Sequence, residues 1–393
     1  MTDRATFTPR RAVLTLGVTQ TIGYACSTYL PATLAKPMAA DVGMSTSGVF
    51  LAFSAALLLQ AVTGPRIGKL VDHRGGRLPL TAASLLFAAG LVGLAVAQTP
   101  AVLIAAWFVI GFGMSAGLYD IAFAGLVGWF GADARRSITG VTLIAGFAST
   151  IGWPLTAWLE HQVGWRGACL AWAALNLLIA LPLHLSLPHA PAPKPEPAAD
   201  AAPVSDAPVP GDLSKMILMA TAFAVLAAIG SAMSAHLPPL LGALGVSPAA
   251  AVGAAALVGP AQVAARLAEF ALVRRIHPLV SGRVAVSLFP IGAVLLIALG
   301  GVAAAPFTIL YGAGNGLFTI VRGALPLALF GERNYGRRLG VLNVPARLLQ
   351  ALSPFVFALM IDRSANLALA AMAAGSVLAF GALMLLRRPA DRT

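Results

Sequence analysis

Charged side chains are scarce in this chain. Asp, Glu, Lys and Arg make up 10% of its 393 residues, whereas apolar residues make up 59%. This balance excludes an ordinary soluble domain, in which about a quarter of the residues carry charge. Cysteine is also rare, since the chain contains only Cys26 and Cys169. Two cysteines give neither a disulfide framework nor a metal-ligand spacing, and we expect both to be small buried apolar side chains.

Motifs for catalysis and nucleotide hydrolysis are missing as well. The sequence contains no G-x-x-x-x-G-K-[S/T] phosphate loop, which excludes ATP as an energy source. It has no conspicuous nucleophile and base pair and no metal-ligand cluster, so we expect neither an enzyme nor a cofactor or metal. The terminal tails are short, which argues against a sensor with an added signalling domain.

Long apolar runs dominate what is present. An α-helix needs about 20 residues to cross a hydrocarbon core of ~30 Å. The sequence predicts twelve such spans, at 11–34, 45–63, 78–97, 101–130, 137–159, 167–187, 213–241, 248–273, 284–301, 303–330, 338–361 and 365–386.

The basic residues predict an orientation. With a cytoplasmic N-terminus, 20 of the 26 Lys and Arg residues fall on the cytoplasmic side and three within spans. The three in outside loops are Lys36, Arg166 and Arg363. This excess predicts that both termini are cytoplasmic. The net charge of +12 is scattered over short loops rather than gathered on one face, so we expect a lipid bilayer and not nucleic acid as the partner.

A proline-rich segment divides the predicted spans into two sets of six. Residues 188–212 are rich in Pro and Ala and predict an extended cytoplasmic linker. The expected domains are therefore a six-helix bundle at 1–187 and another at 213–393. Two similar halves are typical of duplicated transporters, whose binding site lies between the halves near the membrane midplane. Gly64-Pro65 and Gly259-Pro260 occupy corresponding places in the two halves.

The connection between the second and third spans reads Gly-Lys-Leu-Val-Asp-His-Arg-Gly-Gly-Arg over residues 68–77. This segment resembles the cytoplasmic loop signature G-x-L-x-D-x-x-G-x-R of the major facilitator superfamily. The resemblance implies an all-α membrane protein with twelve spans in two pseudo-symmetric six-helix bundles. It also implies a gating role for Gly68, Asp72, Gly76 and Arg77, in which Asp72 meets a helix N-terminus or an arginine. The two glycines would allow a close approach and a turn.

A second resemblance covers the fourth to sixth spans. Trp129-Phe130, Arg135-Arg136, Gly152, Pro154 and Gly164-Trp165-Arg166 are similar to the bacterial monocarboxylate-porter-like branch of that superfamily, which moves small organic anions, commonly with protons. The first span lacks the acidic opening of the eukaryotic monocarboxylate porters, so a lactate-like substrate is not implied. Gly314-Asn315-Gly316 resembles a branch that exports arsenite-like metalloids.

Ionisable residues inside the spans are candidates for function because each costs roughly 2.5–3.5 kcal/mol to insert at a helix centre. Arg347 lies nearest mid-membrane, and Arg266 is the second candidate; a guanidinium in either place would bind an anionic substrate. We predict a proton-coupling or charge network of Asp120, Glu269, Arg322 and His236. Permanent salt bridges are the alternative: Asp120 would pair with Arg266 across the halves, or Glu269 with Arg266 along one helix.

Other polar residues within the spans are candidates for lining a cavity or for bridging helices. They are Tyr24, Tyr119, Asn176, Tyr311, Asn315 and Gln350.

The sequence thus predicts a secondary transporter that works by alternating access and carries a small organic anion together with protons. We expect a monomer in a bacterial inner membrane. The alternative function is efflux of a toxic compound, such as arsenite, antimonite or a drug.

Overall fold

The computed structural model describes residues 7–130, 134–188, 212–272, 277–330 and 335–386. Every regular element within these ranges is helical, as predicted. We call residues 7–188 the N-half and residues 212–386 the C-half. The predicted linker lies almost wholly outside the described residues, and the predicted domain boundaries stay a prediction.

The N-half contains nine α-helices and one π-helical stretch, Asn176–Ala180. The α-helices are α1 (Pro9–Cys26), α2 (Pro31–Val42), α3 (Thr46–Arg74), α4 (Arg77–Ala95), α5 (Pro100–Gly117), α6 (Tyr119–Phe130), α7 (Ala134–Ala145), α8 (Ala148–Leu175) and α9 (Leu181–Leu185).

The C-half contains seven α-helices and one turn of 3₁₀-helix, Gly300–Ala303. The α-helices are α10 (Asp212–Ala243), α11 (Pro248–Ala256), α12 (Val258–Leu272), α13 (Pro278–Leu299), α14 (Ala304–Phe330), α15 (Tyr335–Arg363) and α16 (Ala365–Leu385).

Nine segments of the described chain are long and apolar enough to cross a membrane. Two of them, Arg136–Leu185 and Pro278–Arg322, have 50 and 45 residues and are each long enough for two crossings. Gly164 (φ 70°) and Gly300 (φ 61°) turn the backbone within these two segments. The segment Pro9–Val42 is not among the nine, so the count of twelve stays a prediction.

Large apolar side chains cover the outside of the molecule. Leu178, Val302 and Leu385 have exposed fractions of 75%, 88% and 70%. Exposure of so many apolar side chains is unfavourable in water and favours contact with lipid. The protein is therefore an integral membrane protein.

Several predicted spans are broken, which their composition does not reveal. The first span ends at Cys26 and resumes at Pro31, and the eighth is divided at Leu257 between α11 and α12. The segment Pro100–Phe130 is one of the nine apolar segments, in agreement with the span predicted over 101–130, but it is not one continuous helix, because Leu118 has an extended backbone (ψ −175°). The Gln20 amide donates to the carbonyl oxygen of Gly117 at 2.6 Å. This bond satisfies a backbone group that the break exposes.

The two ends of the molecule differ. The "loop end" carries the α3–α4 connection, together with the start of α1 and the end of α16. The "far end" carries the α2–α3, α4–α5 and α15–α16 connections. Neither name assigns a side of the membrane.

Close helix contacts hold each half together. A Cβ atom added at Gly111 in α5 would lie 2.8 Å from the carbonyl oxygen of Ala56 in α3. In the C-half, a Cβ atom at Gly316 in α14 would lie 2.6 Å from the carbonyl oxygen of Gln262 in α12. Small residues at such crossings let helix backbones approach, and van der Waals packing of this kind drives helix association in lipid.

Candidate functional site

A cavity of about 360 Å³ lies between the two halves. Helices α1, α3, α5 and α6 of the N-half form one wall, and α14 and α15 of the C-half form the other. Its lining residues are Tyr24, Leu57, Gln60, Ala61, Gly64, Met114, Ser115, Leu118, Tyr119, Asp120, Phe123, Thr319, Arg322, Asn343, Arg347, Gln350 and Ala351.

The C-half wall is mostly polar. Five of its six lining residues have side chains that form hydrogen bonds: Thr319, Arg322, Asn343, Arg347 and Gln350. Arg322 donates to Asn343 Oδ1 from Nε at 3.2 Å and from Nη2 at 2.9 Å. Asn343 is neutral, so this contact orients the guanidinium without cancelling its charge.

The N-half wall is mostly aromatic and apolar. The ring centroids of Tyr24 and Tyr119 lie 4.8 Å apart, and those of Tyr119 and Phe123 lie 4.9 Å apart with the rings nearly parallel. Leu57, Met114 and Leu118 extend this surface. The break at Leu118 starts α6 at the cavity, which brings Tyr119 and Phe123 onto the same helical face.

One ion pair crosses the cavity from half to half. Arg347 Nη2 lies 3.1 Å from Asp120 Oδ2, and the two side chains are 33% and 75% exposed. Asp120 belongs to the first turn of α6, where the helix dipole favours a negative charge. The lining thus holds two guanidinium groups and one carboxylate, which leaves a net charge of one positive unit among the described lining residues.

Arg266 lies outside the lining of this cavity. It is buried, and its guanidinium donates to the carbonyl oxygen of Thr142 at 2.9 Å, to Gln262 Oε1 and to Thr319 Oγ1. Both ion pairs predicted for Arg266 are wrong. Asp120 pairs with Arg347 instead, and no ion pair joins Arg266 to Glu269 among the described residues. Glu269 is buried, and its Oε2 atom has no hydrogen-bond partner within the described chain.

His236 lies at the far end rather than in the cavity. Its Nε2 atom donates to the carbonyl oxygen of Pro354 at 2.7 Å, and its ring centroid is 3.9 Å from that of Phe50 in the other half. Two hydrogen bonds also join the halves at this end. They run from Ser47 Oγ to Asp362 Oδ2 at 2.8 Å and from the Phe355 backbone N to Ser54 Oγ at 3.2 Å.

The segment resembling the loop signature is mostly helical. Helix α3 continues to Arg74, and α4 begins at Arg77. The turn is made by Gly75, whose φ of 78° favours glycine, and not by Gly76 as expected. Gly76 instead allows the close approach, since a Cβ atom there would lie 3.0 Å from the Gly125 Cα. A Cβ atom added at Gly68 would meet none of the described residues within 4 Å. The predicted contact of the Asp72 side chain lies outside the described residues, and the gating role of the segment stays a prediction.

The remaining polar candidates either line the cavity or bond to the backbone elsewhere. Tyr24, Tyr119 and Gln350 line the cavity. Asn176 is buried and donates to the carbonyl oxygen of Trp172, and Tyr311 donates to the carbonyl oxygen of Gly230. Sequence reasoning does not predict four polar lining residues, Gln60, Ser115, Thr319 and Asn343, nor the apolar lining residues such as Phe123. Helical spacing was the available signal, because Thr319 precedes Arg322 by three residues and Asn343 precedes Arg347 by four.

Solved transporters share this architecture. The chain superposes on the nucleoside transporter NupG with a TM-score of 0.72 and 14% identity, over 96% of this chain and 100% of that one. An inward-facing, occupied structure of a bacterial homolog of the human lysosomal transporter Spinster matches with a TM-score of 0.68 and 16% identity, over 96% of this chain and 95% of that one. At such identities the likeness concerns the fold.

Sequence comparison gives the family. An uncharacterized 38 kDa protein of Thermoproteus tenax, encoded in a 23S RNA operon, is 35% identical over 156 residues. That match covers 39% of this chain and 40% of the relative. The sequence model of the Major Facilitator Superfamily matches residues 16–310, which is most of the chain. As the resemblance of residues 68–77 implied, this membrane protein belongs to the Major Facilitator Superfamily, a family of transporters rather than enzymes.

Proposed function

We propose that this protein is a secondary transporter that moves small organic anions together with protons. The observation that carries the proposal is the net positive charge of the cavity between the halves, where Arg322 and Arg347 face a single carboxylate, Asp120. A planar guanidinium offers paired donors to a carboxylate and adds a charge attraction that a neutral or cationic solute lacks. The cavity volume of about 360 Å³ lies near the lower limit for ligand pockets and favours a small solute.

In the proposed alternating-access cycle, the structure has one closed end and one open end. The ring of His236 packs on Phe50 of the N-half, and Ser47 and Ser54 form hydrogen bonds with the C-half, so these contacts close the far end, while the exposed Asp120 lies on the cavity's loop side. We propose that the halves rock about this cavity and that the structure is open at the loop end. We assign the loop end and both termini to the cytoplasmic side of a bacterial inner membrane, in line with the distribution of Lys and Arg. A single chain suffices for this motion, so we propose a monomer.

Asp120 is the proposed proton carrier. Its carboxylate pairs with Arg347 at 3.1 Å, so a substrate carboxylate must compete with it for the same guanidinium. Protonation of Asp120 removes that competition and frees Arg347 for the anion. Proton and anion would then bind together, which is the thermodynamic requirement for coupled transport.

The test uses purified protein in liposomes that contain a pH-sensitive dye. We expect a gradient of a small carboxylate to drive proton movement in the wild-type protein. Asp120→Asn should abolish this proton movement but retain carboxylate exchange, because the neutral amide imitates the protonated acid. Glu160→Gln, which neutralises a carboxylate in α8 away from the cavity, should behave like the wild type.

Two outcomes would contradict the proposal. Proton movement that survives in Asp120→Asn would mean that another residue carries the proton. Exchange of arsenite without any carboxylate transport would mean that the substrate is the metalloid and not an organic anion.

A second prediction concerns the crossing of α12 with the N-half. A Cβ atom at Gly259 would overlap Thr150 Oγ1 and lie 2.8 Å from the carbonyl oxygen of Gly146. Thr150 Oγ1 also donates to the carbonyl oxygen of Ala256 at 2.8 Å. We expect Gly259→Ala to force the halves apart here and to lower the carboxylate exchange rate about tenfold, with a smaller loss of thermal stability.

The matched control is Gly253→Ala in α11, where an added Cβ atom would meet no atom of the described chain within 4 Å. This variant should exchange carboxylates at the wild-type rate. Equal rates for Gly259→Ala and Gly253→Ala would show that the crossing tolerates a methyl group and plays no part in the motion.

A further inference from the structure

We infer that the substrate is an aromatic carboxylate whose ring lies on the N-half wall and whose carboxylate faces Arg322 and Arg347. This inference rests on the proposed function and narrows its substrate class. It follows from the unequal chemistry of the two walls, since one presents rings and the other presents hydrogen-bond donors.

The aromatic surface on the N-half is continuous. Tyr119 stands between Tyr24 and Phe123, with ring centroids 4.8 Å and 4.9 Å away, and Tyr119 and Phe123 are tilted by only 17°. All three residues are partly exposed and belong to the cavity lining. A flat ring placed against them would stack at the offset or edge-on geometries that aromatic pairs prefer.

The polar groups are concentrated opposite this surface. Arg322, Asn343 and Arg347 belong to α14 and α15, and Arg322 and Arg347 supply all the positive charge of the described lining. Asn343 accepts two hydrogen bonds from Arg322 but brings no negative charge. An anionic group of the ligand is therefore attracted to the C-half wall, because the N-half wall carries the one carboxylate.

A ligand that has only a carboxylate or only an aromatic ring matches only one wall. A short aliphatic acid would pair with the guanidinium groups but leave the rings of Tyr24, Tyr119 and Phe123 in contact with water. A neutral aromatic compound would cover the rings and leave the net positive charge unpaired. A ring that carries one carboxylate satisfies both walls, and such a molecule is small enough for a cavity of about 360 Å³.

The experiment measures exchange in proteoliposomes for benzoate, cyclohexanecarboxylate, acetate and benzyl alcohol. Benzoate and cyclohexanecarboxylate have similar size and charge, so their ratio isolates the contribution of the flat ring. We expect benzoate to have the lower half-saturation concentration by about two- to tenfold, which is the value of one aromatic contact. Acetate should bind more weakly than either, and benzyl alcohol should not be exchanged.

Two variants test the wall itself. Tyr119→Leu and Phe123→Leu should each reduce the benzoate preference towards a ratio of one, while cyclohexanecarboxylate is still exchanged. Continued exchange of the saturated acid shows that the variant is folded. Tyr311→Phe, outside the cavity lining, should keep the wild-type ratio.

The outcomes separate this inference from the proposed function. Acetate exchanged as efficiently as benzoate, or a benzoate preference unchanged in both leucine variants, would overturn the aromatic assignment and leave an organic-anion transporter. A protein that exchanges none of the three carboxylates would overturn both.

Discussion

Replacing Arg347 by alanine should lower carboxylate exchange by about ten- to a hundredfold. The substitution removes one of the two cations of the cavity, which leaves Arg322 and Asp120 and a net charge of zero among the described lining residues. A hydrogen bond to a charged group contributes about 1.5–3 kcal/mol, which corresponds to this range of affinity. The measurement is the initial exchange rate at equal protein incorporation. Arg347→Lys should recover part of the loss, because it restores the charge but not the planar pair of donors.

A double variant separates the two roles of Arg347. In Asp120→Ala/Arg347→Ala the cavity regains one net positive charge through Arg322 alone. If Arg347 binds the substrate, this double variant stays as slow as Arg347→Ala. Recovery to the wild-type rate would instead mean that Arg347 only neutralises Asp120. Arg363→Ala, which removes an arginine at the far end, is the control for general effects of lost charge and should be unaffected.

Replacing Gly316 by alanine should destabilise the C-half. The new Cβ atom would lie 2.6 Å from the carbonyl oxygen of Gln262 and 2.8 Å from its Cα atom. Backbone atoms cannot rotate away as a side chain can, so α12 and α14 must separate. Overpacking of this kind costs about 1–3 kcal/mol. We expect the midpoint of thermal unfolding in detergent to fall by roughly 5 °C.

The matched control is Gly381→Ala in α16. An added Cβ atom there would have no neighbour within 4 Å in the part of the chain that the structure describes, and alanine is the better helix former. This variant should therefore unfold at or slightly above the wild-type temperature. If both variants unfolded at the same temperature, the contact between α12 and α14 would be loose enough to accept a methyl group.

Apolar length and the loop motif made the helical membrane fold predictable. Span composition could not locate the breaks, because an apolar residue such as Leu118 gives no sign that its backbone is extended. The break depends on a tertiary contact, the hydrogen bond from Gln20 to Gly117, which is 97 residues away along the chain. A sequence window that covers one span cannot detect such a partner.

The sequence identifies charged residues within the spans but not the direction in which their side chains point. Arg347 was placed near mid-membrane by counting along its helix, and the structure brings it to the cavity. Arg266 is also a charged residue within a predicted span, but its side chain faces α14 and Thr142 instead. The direction of the Arg266 side chain depends on how α12 packs against α14. Gly312 and Gly316 of α14 let the backbone of α12 approach closely. Helix rotation of this kind is set by neighbours and cannot be counted along a sequence.

The unequal distribution of charge has a consequence for the history of the chain. The N-half contributes a carboxylate to the cavity, and the C-half contributes both guanidinium groups. A protein assembled from two copies of the N-half would enclose acid alone and would repel an anion. Two copies of the C-half would enclose four guanidinium groups and no carboxylate to take up a proton. If the halves descend from one duplicated ancestor, they now differ in the charges they bring to this cavity, and the proposed binding of an anion and a proton needs both of them.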